Sequence, residues 1–114
     1  MREYTKSIRK KLNDLAALAY ERELEQALDE LLRNFQEWKE NKIDCFKLNQ
    51  LIHEYHEKKS REIRNTHSGS DSDFLVYRAV KLGFLPKSEV ADEGYLWRLV
   101  YRLEQALFIV KLAF

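Results

Sequence analysis

Two histidines and a carboxylate lie close together in the run Ile52-His53-Glu54-Tyr55-His56-Glu57. On a helix His53 and His56, three residues apart, point the same way. Projected at about 100° per residue, Asn49, His53, His56, Glu57, Ser60 and Arg64 share one flank, beside an apolar face of Leu48, Ile52 and Tyr55. Two imidazoles and the Glu57 carboxylate form a ligand set that suits zinc or iron. A closed metal site needs further ligands from a second element. The chain offers no Glu-x-x-His and no second histidine pair to supply them. The plainer reading, a hydrogen-bonded polar flank on a half-exposed helix, needs no such ligands, so no metal and no other cofactor is expected. Other chemistries lack their parts. Three isolated glycines cannot build a phosphate-cradling loop or a dinucleotide fingerprint, and Gly-x-Ser-x-Gly, Cys-x-x-Cys and His-Glu-x-x-His are all missing. Cys45 stands alone, which excludes an internal disulfide and fits a small packing residue better than a nucleophile.

A second pair is Arg61 and His67. Their Arg-x5-His spacing resembles the Arg-x4–6-His signature of the HEPN ribonucleases, small all-helical proteins, often dimeric, that place Arg and His at a subunit interface to cleave RNA. The resemblance implies His67 as general acid and base, with Arg61 holding a phosphate. Glu62 stands where that signature has Asn, Asp or His. The pair is also expected to straddle a helix end and a Ser/Gly loop rather than open a rigid helix. The alternative to an enzyme is a solvated helix terminus. The candidate polar site is therefore His53, His56, Glu57, Arg61 and Arg64, with His67 added in the ribonuclease reading and His53, His56 and Glu57 alone in a metal-dependent one.

Charge is balanced overall and segregated locally. Twenty Lys and Arg against nineteen Asp and Glu leave a net +1, so no global field recruits nucleic acid or a membrane. Residues 2–11 hold Arg2, Lys6, Arg9, Lys10 and Lys11 against Glu3, a local +4. Residues 21–30 hold Glu21, Glu23, Glu25, Asp29 and Glu30 against Arg22, a local −4. Opposite blocks on one helix suggest a solvated helix or head-to-tail complementarity between copies. The basic segment Arg2 to Lys11 could meet phosphates, but no helix-turn-helix or aromatic stacking pattern accompanies it, so no nucleic-acid partner is expected.

These residues must be positioned by helices. No Gly or Pro occurs from Met1 to Ser68, and apolar residues recur at Ile8, Leu12, Leu15, Ala19, Leu24, Leu28, Leu31, Phe35 and Trp38 with steps of mostly three and four. Tyr20 and Ala16 bridge the five-residue step from Ala19 to Leu24. A helix from Lys6 to Asn41 would run roughly 54 Å, longer than a compact domain of this size is wide, near roughly 35 Å. Either it breaks, or its end projects and needs a partner. Asn13-Asp14 is the natural break, since both side chains compete for backbone hydrogen bonds. The spacing thus predicts a short basic helix capped by Thr5, then a long helix from about Asp14 to Asn41.

Asp44 is expected to cap the next helix, which runs to about Asn65 and packs on the previous one as an antiparallel hairpin. Thr66 to Ser72 reads as a loop centred on Gly69. Asp71 or Ser72 caps a short helix over Asp73–Leu82, stopped by Gly83 and Pro86. Ser88 opens the last helical region, with a kink near Gly94. Its final part, Tyr95 to Phe114, is apolar nearly all round and reads as a central helix or a subunit interface.

The run Tyr20-Glu-Arg-Glu-Leu24, the Phe35/Trp38 pair, the corner Lys42-Ile-Asp44 and Ile52-His-Glu-Tyr-His56 followed by Arg61-Glu62 are similar to those of a family of short, all-helical bacterial proteins without an assigned activity. The likeness spans roughly residues 14 to 64. It implies a bacterial cytosolic protein and carries no site residue. The expectation is therefore one all-α domain over 1–114, a bundle-like packing of four to five helices with a long N-terminal hairpin and an apolar C-terminal helix. Apolar surplus on the last helix predicts a two-fold homodimer. With no leader-like apolar run at the N-terminus and no apolar run near the roughly twenty residues that span a bilayer, the expected address is cytoplasmic. The functional expectation is a non-enzymatic, oligomeric protein-interaction or regulatory module. Its alternative is a small helical hydrolase using one of the two polar sets.

Overall fold

The structure is a computed structural model that describes residues 5–91. The apolar segment Tyr95 to Phe114, the expected kink near Gly94, and Arg2 and Glu3 of the basic block lie outside them. Every regular element among the described residues is helical: α1 (Lys6–Lys39), α2 (Cys45–Glu54), a π-helical turn (Tyr55–Lys59), α3 (Ser60–Gly69), α4 (Ser72–Leu82) and α5 (Lys87–Ala91). None is long and apolar enough to cross a membrane.

The first correction concerns α1. It does not break at Asn13-Asp14 but continues for 34 residues, about 51 Å at 1.5 Å per residue. Both side chains that were expected to compete with the backbone are engaged elsewhere. Asn13 Oδ1 accepts a hydrogen bond from the Ser72 hydroxyl, 59 residues away. Asp14 accepts from Lys10 Nζ at 2.9 Å, one turn back. Satisfied in this way, neither residue draws a backbone N–H out of the helical ladder.

The helix ends follow local rules. Thr5 Oγ1 accepts from the Ile8 N–H at 3.3 Å and caps α1. At the other end Asn41 takes a left-handed conformation, φ 59°, and the Lys42 N–H closes on the Glu37 carbonyl at 2.8 Å. Glu40 accepts from the Lys42 ammonium at 2.9 Å, and this hydrogen bond holds Lys42 above the usual lysine range. Asp44 caps α2 by accepting from the Lys47 N–H at 2.7 Å. Asp44→Ala should cost about 1 kcal/mol of stability, read as a lower urea midpoint; an unmoved midpoint would show that the cap contributes nothing. Gly83, φ 86°, ends α4, with the Phe84 N–H on the Ala79 carbonyl at 2.8 Å.

The chain falls into two compact units that divide α1 between them. In the first, residues 5–19 pack with residues 70–91. Leu12, Ala16 and Ala19 of α1 meet Leu75, Val76 and Ala79 of α4, and Leu85 and Val90 close the cluster. Three alanines at this contact let the helix backbones approach, because interaxial distance follows side-chain size.

The second unit, Tyr20–Gly69, is an antiparallel helical hairpin. Ala27, Leu31 and Asn34 of α1 face Leu51, Tyr55 and Glu62, while Tyr20 and Glu23, earlier in α1, meet His67, later in the return arm. The return arm is not a uniform α-helix. At Tyr55–Lys59 it widens into a π turn, and the Ser60 N–H reaches back to the Tyr55 carbonyl. Such a turn accommodates one extra residue. The consequence is a matter of phase. In a straight α-helix Ile63 would lie about 80° around from Tyr55; with one residue absorbed, the difference falls to about 20°. The π turn therefore brings Ile63 and His67 onto the side already set by Leu48, Leu51 and Tyr55.

Candidate functional site

The polar residues singled out by sequence separate into three groups, all within the hairpin. His53 and His56 do share a surface. With Phe46, Asn49, Gln50 and Ile52 they line a shallow exposed depression, and Phe46 is 80% exposed beside them. Glu57 turns away to accept from the Arg61 guanidinium at 3.4 Å, one turn on. Its other oxygen is 4.0 Å from His56 Nε2, whose side chain is 81% exposed. The single flank expected for Asn49, His53, His56, Glu57, Ser60 and Arg64 assumed an unbroken α-helix. The π turn rotates Ser60 and Arg64 by about 100° relative to Asn49 and His53, so the flank is divided. Arg64 is exposed. Among the described residues no three His, Cys, Asp or Glu side chains gather as a metal set.

His67 is the largest departure from expectation. It is not in a loop: α3 runs on to Gly69. Nor is it solvated, since its side chain is 2% exposed. Its Nε2 lies 2.8 Å from Glu23 Oε1 of α1, whose side chain is 9% exposed. The Tyr20 ring stacks on the imidazole, with centroids 4.6 Å apart and planes 27° from parallel. A ring nitrogen facing a carboxylate donates its proton, so Nε2 carries the hydrogen. That leaves Nδ1 buried and without a partner, an arrangement that costs about 1–3 kcal/mol for an unsatisfied polar atom. The Arg61–His67 pair is not assembled along α3. Six residues apart on a helix, the two side chains leave the axis about 120° apart. Arg61 is exposed and engages Glu57, whereas His67 turns inward to Glu23.

Sequence reading did not join Glu23 to Tyr20. The available signal was their spacing with Ala27: 20, 23 and 27 step by three and four and share one helical face. The expected apolar line instead ran through Leu24 and Leu28. The buried line runs through Ala16, Ala19, Glu23 and Ala27, because Glu23 has a buried imidazole to meet.

This choice of line leaves bulky residues outside. Leu28 is 46% exposed, Leu32 54% and Phe35 38%. Stepping by four and three, they form one stripe about 100° around α1 from the line of Ala27, Leu31 and Asn34. Between α1 and the return arm lies a groove of about 340 Å³, with Ala27, Leu31, Leu51 and Tyr55 at its base and exposed Glu30, Lys58, Lys59 and Glu62 along it. With Glu54, three carboxylates and two ammoniums line it.

Comparison with known proteins gives no match to a family model, a curated protein or a solved structure.

Proposed function

We propose that the protein is a non-enzymatic interaction module, working in the cytoplasm of a bacterium, and that the C-terminal half of α1 is its working surface. One observation carries the reading: Leu28, Leu32 and Phe35 form a continuous apolar stripe on a helix whose other face is already packed. Single exposed apolar residues are ordinary, but three in register on one helix face are the pattern of a helix-docking surface. The placement of the polar residues supports the same reading. His53 and His56 lie open to solvent, Arg61 is engaged by Glu57, and His67 is enclosed with Glu23 and Tyr20. The chemistry-bearing groups therefore do not converge on a common reacting position, which acid–base work requires.

The test is a photo-crosslinking side chain placed at Leu32 in the full-length protein and irradiated inside bacterial cells. Discrete protein adducts are expected, and they should disappear when Phe35→Glu is added. The same probe at Lys58, off the stripe, should give none. Irradiation at Leu32 that yields no protein adduct would sink the reading.

A further inference from the structure

Resting on that reading, we infer that the occupant of the α1 stripe is a second copy of this chain, crossing antiparallel with Leu32 at the two-fold axis. The stripe extends beyond its three apolar members. Glu25 lies seven residues before Leu32 and Lys39 seven residues after it, and both are exposed on the same side of the helix. The face thus reads Glu25, Leu28, Leu32, Phe35, Lys39, with intervals of three, four, three and four, the seam of a helix pair.

The two charges are each about 10.5 Å from Leu32 along the axis. When two such helices cross antiparallel, Leu32 meets the partner's Leu32, Leu28 meets the partner's Phe35, and Glu25 faces the partner's Lys39 at both ends. A parallel pair would oppose like charges at each end. Asp29, one turn after Glu25, adds to the acidic end. Lys39 leans over the Trp38 ring, 4.8 Å from its centroid, which helps hold its ammonium near the end of α1. An occupant must therefore be apolar at its centre, basic at one end and acidic at the other, at matched distances. The same stripe reversed meets all three requirements, and self-complementarity of this kind is what an isologous two-fold contact needs. One face of about four helical turns is a small interface, so the dimer should be weak, with a dissociation constant in the micromolar range.

The experiment is sedimentation equilibrium of the full chain across micromolar concentrations, in a Cys45→Ser background because Cys45 is exposed. The parent protein should show a monomer–dimer equilibrium. Glu25→Lys and Lys39→Glu should each weaken it roughly tenfold, since each turns two attractive rim contacts into two repulsive ones. The double variant Glu25→Lys/Lys39→Glu should restore the parent affinity, which a misfolded protein could not do. Leu32→Glu should abolish dimerisation. A monomer at all concentrations, or a double variant no tighter than either single one, overturns the inference. Dimerisation that ignores Leu32→Glu also overturns it, by placing the contact elsewhere. The interaction reading is judged separately: adducts at Leu32 in cells that contain a different protein, from a chain that is monomeric alone, would keep that reading and remove the second copy.

Discussion

His67→Ala should lower the stability of the helical hairpin by about 3 kcal/mol, the largest loss expected from any single side chain in it. The imidazole is the partner of a carboxylate that is almost fully enclosed. Removing one member of a buried pair strands the other without water or counter-charge, which typically costs about 3–5 kcal/mol. Glu23 makes a further interaction besides that with His67, so the lower end applies. The lost Tyr20 stacking adds to the effect.

A second variant separates the pair's net contribution from the penalty of breaking it. Glu23→Leu/His67→Leu removes both polar groups and also the unpartnered Nδ1. Replacing a buried pair by apolar residues is often neutral or better, so the double variant should recover most of the loss. Urea unfolding of the full chain, with amide exchange of residues 20–69 to locate the effect, measures both. A loss under about 1 kcal/mol for His67→Ala, or a double variant less stable than His67→Ala, would show that the pair is not the hairpin's anchor.

The contrast between what was legible and what was not has a physical origin. Features decided within one turn of chain were readable. The caps at Thr5 and Asp44 and the stop at Gly83 depend on residues at most four positions away, and the structure has them as expected. The supposed break at Asn13-Asp14 failed because Asn13 is satisfied by Ser72, a partner that no local window contains. The supposed loop at Thr66 to Ser72 failed for a related reason. Ser and Thr can leave a helix or stay in it, depending on where their hydroxyls bond. Here Thr66 Oγ1 donates back to the Glu62 carbonyl at 2.8 Å, and Ser68 Oγ to the Asn65 carbonyl at 3.4 Å. With both hydroxyls turned to the preceding turn, α3 continues to Gly69, and His67 becomes a helical residue facing α1.

The candidate site shows the same division. The exposed His53/His56 surface was visible from periodicity because His53 precedes the π turn and His56 lies at its start. The enclosed Tyr20–Glu23–His67 group was not, since it joins positions 44 residues apart and replaces an apolar contact with a polar one. One further clue was present and is readable in retrospect. The return arm's inward residues jump from Tyr55 to Ile63, a gap of eight that leaves an α-helix about 80° out of phase. The residue inserted at the π turn closes that offset to about 20°.

That inserted residue leads to the second large expectation, a contrast between two single-residue deletions. Deleting Lys58, exposed within the π turn, should let Tyr55 through Ser60 close into ordinary α-helix while keeping Ile63 and His67 in register with Leu51 and Tyr55. The hairpin should stay within about 1 kcal/mol of the parent, because the turn gives up the residue it had absorbed. Deleting Gln26 from α1 removes an equally exposed residue, but α1 has no π turn to relax. The part of α1 before the deletion rotates by about 100° relative to the part after it, so Tyr20 and Glu23 can no longer face His67 while Ala27 and Leu31 face the return arm. This variant should lose the cooperative unfolding of the hairpin altogether, seen as flattened urea transitions and rapid amide exchange across residues 20–69. Equal damage from both deletions would mean that the π turn is not a register device and that Tyr55 and Ile63 share a face for some other reason. A tolerated Lys58 deletion that also leaves His67 protected from solvent would establish that the extra residue sets the phase on which the Glu23–His67 contact, and with it the outward turn of Leu28, Leu32 and Phe35, depends.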